Sequence, residues 1–135
     1  MEVFKKLTVV AGILLNQNRE VLIALRPLTV AEPGLCEFPG GKVEPGETLE
    51  TALIREFQEE IGIVVTKIKP FLTVEHQNAT HCLILNSFLI MQFQKEPKGC
   101  ENQEIRWVPI DTLEKYEFPK ANADIVKAVS AIRVF

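Results

Sequence analysis

Seven of the eighteen acidic residues fall in one stretch, namely Glu37, Glu44, Glu47, Glu50, Glu56, Glu59 and Glu60, with Lys42 and Arg55 alone to oppose them. Like charge at this density works against folding unless something neutralises it. A solvated helix face laced with ion pairs is one solution; a divalent cation is another. Residues 48–61 read as a helix, with Thr48 placed to cap its start and Gly62 to stop it. At about 100° per residue, Leu49, Leu53, Ile54, Phe57 and Ile61 fall within roughly 140° and form a core-facing stripe. Glu60 projects into that stripe between Leu49 and Leu53, Glu56 borders it, and Glu59 stands off to one side. An acidic helix that is merely solvated keeps its carboxylates on the far face. Carboxylates at the buried edge are costly unless paired or metal-bound, and at i, i+3 and i, i+4 spacing they repel one another. Several converging oxygen donors suit a hard cation, Mg²⁺ or Mn²⁺. Arg55, with Glu47 as its partner at the loop–helix junction, is the ion-pair alternative.

The elements that must position these acids follow from pattern. Residues 7–15 and 20–26 are β-like runs joined by the turn-rich Asn16-Gln17-Asn18-Arg19, which predicts a hairpin. Residues 30–38, with Pro33 and Gly34, read as a loop, and Pro39-Gly40-Gly41 and Pro45-Gly46 punctuate a second one. Residues 63–75, 82–94 and 105–108 read as strands, 111–115 as a helical turn, and 121–132 as a closing helix with Ile125, Val129 and Ile132 on one face. Strand runs interrupted by two helices predict a mixed α/β domain, a mixed sheet flanked by helices, spanning residues 1–135 without a boundary.

Gly41, Glu47, Arg55-Glu56-Phe57, Glu59-Glu60 and Ile61-Gly62-Ile63 fit G-x5-E-x7-R-E-U-x-E-E-x-G-U, with U bulky and apolar, at every fixed position from Gly41 to Ile63. The chain thereby resembles the Nudix family, whose members hydrolyse nucleoside diphosphates linked to another moiety with Mg²⁺ held by these glutamates. The resemblance implies the Nudix fold, a mixed sheet sandwiched between helices. Glu37-Phe38-Pro39-Gly40-Gly41-Lys42 and Phe118-Pro119-Lys120-Ala121-Asn122 extend the likeness to the MutT branch, which converts 8-oxo-dGTP to 8-oxo-dGMP and pyrophosphate and so keeps oxidised guanine out of replicating DNA.

What that resemblance implies can be stated residue by residue. Glu56, Glu59, Glu60, the Gly40 carbonyl and Glu101 would hold the metal, Mg²⁺ or in its place Mn²⁺. Glu101 read on its own is an exposed loop acid. Water would attack the β-phosphorus, with Glu56 receiving its proton and Glu101 as second candidate, while Glu47 orients Arg55 or a metal water. Arg26 matches an arginine that contacts phosphate, its fork suiting phosphate oxygens; otherwise it is a strand-end charge. Asn122 would read the base. In 8-oxoguanine the O6 and N7 edge presents an acceptor and then a donor, and an asparagine amide offers the complement. Asn122 is also placed to cap the last helix. Phe38 lines the base pocket or packs in the core. His81 lies near a position where MutT enzymes present an arginine, a departure that bears on grip of sugar or base.

Composition narrows the setting. At 47% hydrophobic and 24% charged the chain is ordinary for a globular protein, and its apolar runs are shorter than the ~20 residues of a membrane span. The N-terminus carries no run of signal-peptide type. Cys36, Cys82 and Cys100 form no C-x-x-C pair, which favours a reducing cytosol. A net charge of −3 excludes a broadly basic nucleic-acid binder. The expectation is a cytoplasmic monomer acting on a free nucleotide, with no nucleic acid or membrane as partner. Two alternatives stand beside it: the same chemistry on another nucleoside triphosphate, a nucleotide sugar or a dinucleoside polyphosphate, or a non-catalytic reader of oxidised guanine, against which the complete box argues.

Overall fold

The computed structural model describes residues 5–26 and 34–133. Helix α1 (Leu49–Ile61) begins and ends where its caps dictate. Thr48 is extended and its hydroxyl accepts from the Thr51 N–H, while Gly62 turns left-handed at φ 74° and returns its N–H to the Gln58 carbonyl. Ala52, Leu53, Phe57 and Ile61 are fully buried. Ile54, expected in that stripe, is exposed, and Ala52 takes the buried position on the other side.

The strands form two sheets. One has the order β4 (Gly40–Lys42), β1 (Lys5–Leu14), β6 (His81–Gln94), β5 (Val64–Gln77), and the other β3 (Cys36–Glu37), β2 (Glu20–Leu25), β7 (Ile105–Pro109). The first is mixed: β1 runs parallel to β6, and the other pairings are antiparallel. The expected hairpin of the first two strands is not formed as such. After a turn at Asn16–Arg19 they share one bridge, Leu15 with Val21, and then part into different sheets. The expected loop at 30–38 lies partly outside the described residues, and its end, Cys36–Glu37, pairs with β2 as a short strand. Gly40–Lys42, read as loop from its glycines, pairs with β1. In both cases tertiary pairing overrides weak local preference.

Alternation along β1 feeds both sides of the sheet. Ala11 and Ile13 pack with Val21, Ile23 and the last helix, α2 (Ala123–Ser130), through Ile125 and Val129. Val10 and Leu14 pack with Leu53, Phe57 and Ile61 of α1. The mixed sheet therefore lies between helices, as expected. Segments 110–115 and 120–122 are 3-10 turns leading into α2. Where the long β5–β6 ladder shifts register between Pro70 and Thr73, buried Ser87 restores the pairing, accepting from the Leu72 N–H at 3.1 Å and donating to its carbonyl at 2.7 Å.

Helix α1 sits low on the sheet because Gly12 lets it. A Cβ on Gly12 would fall 2.3 Å from Phe57 Cε1. Gly12→Ala is therefore expected to destabilise the fold by ~1–3 kcal/mol through overpacking, read as a lower urea midpoint, with Phe57→Leu restoring part of the loss. An unchanged midpoint would mean that the ring is not seated there.

Candidate active site

Strand β4 is the free edge of its sheet, and α1 covers that edge with charged side chains. The register pairs Val10 with Gly41, and the Gly12 N–H donates to the Pro39 carbonyl, so Gly40 and Lys42 occupy the positions whose backbone groups point away from β1. The Gly40 N–H donates to Glu60 Oε2 at 2.9 Å, and the Lys42 carbonyl accepts from Arg55 Nη2 at 3.1 Å. The Gly40 carbonyl, on the same side as its N–H, opens toward the acids. Glycine beside it leaves room for Glu56, whose carboxyl carbon would lie 2.5 Å from a Cβ on Gly41 and would have to shift.

Arg55 is the hub. Its Nε and Nη2 grip the two oxygens of Glu47 at 2.7 and 2.9 Å, its Nη1 reaches Glu56 Oε1 at 2.9 Å and Glu59 Oε2 at 3.3 Å, and Glu44 stands 3.7 Å away. This bidentate bond, with a second from the Glu44 N–H, holds the Glu47 carboxyl at about 2, well below its usual range. The pairing of Arg55 with Glu47 is the one the sequence suggested.

One guanidinium does not satisfy the cluster. Burial is the main force pushing the Glu60 carboxyl up to about 8; the Gly40 N–H opposes it, and the charges of Glu56, Glu37 and Glu101 add to it. Burial also raises Glu56, against the pull of Arg55 and with the push of Glu59 and Glu101. Glu101 thus acts electrically on both, although it comes from a loop forty residues further along the chain than Glu60. Glu59 is about half exposed. Among the described residues no three acid, histidine or cysteine side chains already close on one point. The donor set nevertheless fits a hard divalent cation: it is all oxygen, one oxygen of Glu56 and one of Glu60 are committed to Arg55 and Gly40, and the Gly41 cradle keeps the Glu56 carboxylate in place.

Beside the acids opens a cleft of about 730 Å³ whose lining includes Gly40, Gly41, Lys42, Arg26, Glu37, Phe38, Lys120 and Asn122. Arg26 is bonded to Glu37 at 3.0 Å. Phe38 is buried in the core and stacks on Phe118 with centroids 5.0 Å apart, so it serves packing and wall at once. Asn122 precedes α2 but makes no side-chain capping bond, and it is one of the residues that line the cleft. His81 is not part of the lining. It lies two residues before Leu83, at the start of β6, with Nδ1 2.7 Å from the Thr80 hydroxyl, and His76 and Asn78 border the cleft instead. Sequence reasoning gave no role to Glu37, Lys42, Lys120, His76 or Asn78. The signal for Glu37 was its place in the acidic stretch, but its coupling to Glu60 arises only once β3 and α1 are packed.

A family model described as NUDIX domain matches residues 5–129. The chain is 36% identical over 122 residues to the 8-oxo-dGTP diphosphatase of Escherichia coli (strain K12), covering 90% of this chain and 95% of the relative. It is 30% identical over 129 residues to the CTP pyrophosphohydrolase of the same organism, covering 96% and 95%. A solved structure from an analysis of MutT from Aliivibrio salmonicida and Vibrio cholerae superposes with a TM-score of 0.82 at 41% identity, covering 94% of this chain and 98% of that one.

The electrostatics of Glu60 set a pH dependence. An acid whose folded pKa stands near 8, against 4.5 unfolded, contributes stability that is complete below 4.5 and lost as pH rises through about 8. Glu47 has the opposite sign, its contribution being lost as pH falls toward 2. Glu60→Gln keeps an acceptor for the Gly40 N–H but cannot ionise. In chelator, its melting temperature is expected to match the parent's near pH ~5 and exceed it near pH ~9; parallel curves would refute the shift.

Proposed function

Since the chain belongs to the Nudix family, a hydrolase family acting on phosphorus-containing anhydrides, we propose that it hydrolyses 8-oxo-dGTP to 8-oxo-dGMP and pyrophosphate, keeping the oxidised nucleotide out of replication. The observation that carries this reading is one continuous cleft lined by Asn122 together with the Gly40–Gly41 edge of the acid cluster.

The division of labour follows from that layout. Asn122 pairs doubly with the O6 and N7–H edge of the oxidised base, because its amide has one acceptor and one donor. Unmodified guanine offers two acceptors there and leaves one end of the amide unmatched, and such mismatches can discriminate by up to ~10⁴–10⁵. Phe38 forms part of the pocket wall. Lys42, Lys120 and Arg26 supply positive charge for the polyphosphate; Arg26 is already oriented by Glu37. Glu56, Glu59, Glu60, Glu101 and the Gly40 carbonyl would hold Mg²⁺, with Mn²⁺ able to replace it. When bound, the ion supplies charge neutralisation for the phosphates and lowers the pKa of water. Water attacks the β-phosphorus; the bond from that phosphorus to the bridging oxygen breaks, and the nucleotide leaves with that oxygen. Glu56 accepts the proton of the water, with Glu101 as second candidate. A carboxyl raised by burial is a better base near neutrality than an ordinary one. Glu47 remains ionised and fixes Arg55, which in turn aims Glu56. His81, away from the cleft lining, would contribute at most to the sugar end.

We take residues 1–135 as a single domain acting as a cytoplasmic monomer on free nucleotide. The three cysteines are free, and no helix among the described residues is long and apolar enough to cross a membrane. The likeness to a CTP pyrophosphohydrolase favours a second reading, a pyrimidine nucleoside triphosphate as substrate.

Pyrophosphate release from 8-oxo-dGTP, dGTP and CTP, with and without Mg²⁺, separates these readings; highest kcat/KM on CTP would replace the first by the second. Asn122→Ala is expected to lower selectivity for 8-oxo-dGTP over dGTP by at least ~10²-fold while retaining Mg²⁺-dependent turnover of dGTP. Equal selectivity in variant and parent would remove Asn122 from base recognition.

A further inference from the structure

Glu101 is too far along the chain from α1 for local structure to position it, and its loop supplies the means. Helix α1 ends with carbonyls that have no partner within the helix. The Lys98 N–H bonds the Ile61 carbonyl at 2.9 Å, and the Cys100 N–H bonds the Glu60 carbonyl at 2.8 Å. Those bonds dock the loop ahead of Glu101. The peptide of Glu101 itself is held by one side chain, Gln103. Its Nε2 donates to the Glu60 carbonyl at 3.0 Å, and its Oε1 accepts from the Glu101 N–H at 2.9 Å. The amide is half-buried, with a donor facing the helix end and an acceptor facing the loop. The loop closes tightly around it. A Cβ on Gly99 would fall 2.2 Å from the Gln103 carbonyl oxygen, and Asn102 adopts φ 61°, a left-handed conformation that asparagine tolerates better than most residues.

We infer that Gln103 is a positioning residue: by bridging the last turn of α1 to the backbone of Glu101, it fixes the outlying carboxylate relative to Glu56 and Glu60 and so completes the cation site. This rests on the reading of Glu101 as part of that site. An apolar side chain at 103 would leave the loop docked through 98 and 100 but release the Glu101 peptide. The cost should then appear in cation binding and turnover rather than in substrate capture.

The test is a double-mutant cycle. Gln103→Met keeps the length of the side chain without its polar atoms, and Gln103→Ala guards against an effect peculiar to methionine. Each is made in the parent and in Glu101→Gln, and read by Mn²⁺ titration calorimetry without nucleotide and by Mg²⁺-dependent kcat and KM for 8-oxo-dGTP. In the parent, Gln103→Met is expected to weaken Mn²⁺ about tenfold, the low end of what loss of a ligand's supporting partner costs, and to lower kcat by a similar factor with KM little changed. In Glu101→Gln the same substitution should change either quantity by no more than about twofold. Equal losses in both backgrounds, or no loss in the parent while Glu101→Gln does lower Mn²⁺ affinity, would overturn the role of Gln103 alone. Parental Mn²⁺ affinity and kcat in Glu101→Gln itself would overturn the assignment of Glu101, and the inference with it.

Discussion

A sheet edge leaves backbone donors and acceptors without partners, and most proteins shield such an edge with solvent, proline or a neighbouring strand. Here the edge of β4 is met by a guanidinium and a carboxylate from α1, at the Lys42 carbonyl and the Gly40 N–H. That contact sets the height and rotation of α1 over the sheet. It also favours glycine at position 41, where a side chain would displace the Glu56 carboxylate from its present place. The apolar face of the helix could be satisfied by a range of small rotations, since packing is not directional. Two polar bonds to a strand of fixed register allow far fewer. The acids are therefore aimed by hydrogen bonding to backbone, and the hydrophobic contacts beneath them supply most of the adhesion.

Much of the fold could be read from pattern because its elements carry strong local signals. Helix α1 has both caps in its sequence, and β5, β6 and β7 are long or distinctly apolar runs whose observed bounds differ from the reading by a residue or two. The misreadings cluster where pairing is decided by distant partners. Two residues at Cys36–Glu37 and a glycine pair at 40–41 have little intrinsic preference for extended structure. They become strands because β2 and β1 present edges to them. The separation of β1 from β2 is equally non-local: the turn at 16–19 is compatible with a hairpin, and the parallel partner β6, some seventy residues away, takes β1 into another sheet. Ile54 shows the limit of wheel geometry, since an edge position on the stripe is buried or exposed according to what covers it.

The acid cluster was legible for a different reason. Charges placed against an apolar stripe conflict with the folding pattern, and such conflicts concentrate at functional positions. That signal singled out Glu56 and Glu60, with Arg55 and Glu47 at the loop–helix junction as the ion-pair alternative, and the box spacing then tied all four together. It could not reveal Gln103, whose amide is chemically ordinary and whose importance lies in what it touches, the Glu60 carbonyl and the Glu101 N–H. Nor could it reveal that Glu37 pairs with Arg26, is itself raised by burial, and adds its charge to the forces raising Glu60.

Arg55 neutralises Glu47 thoroughly and shares one nitrogen between Glu56 and Glu59, while Glu60 and Glu101 receive nothing from it among the contacts described. A cluster built for stability alone would bring a second cation to Glu60, because a buried carboxylate without a counter-charge is costly. The observed distribution does otherwise: it uses its arginine to orient Glu47 and Glu56 and leaves Glu60, at the buried end, with the Gly40 N–H as partner and no counter-charge among the contacts described. A fully paired network of the same residues would hold the helix more firmly and have no affinity for a divalent ion. Burial does most to raise the Glu60 carboxyl and the charges of Glu56, Glu37 and Glu101 add to it, so a positive charge brought to that place would relieve a cost the fold already bears.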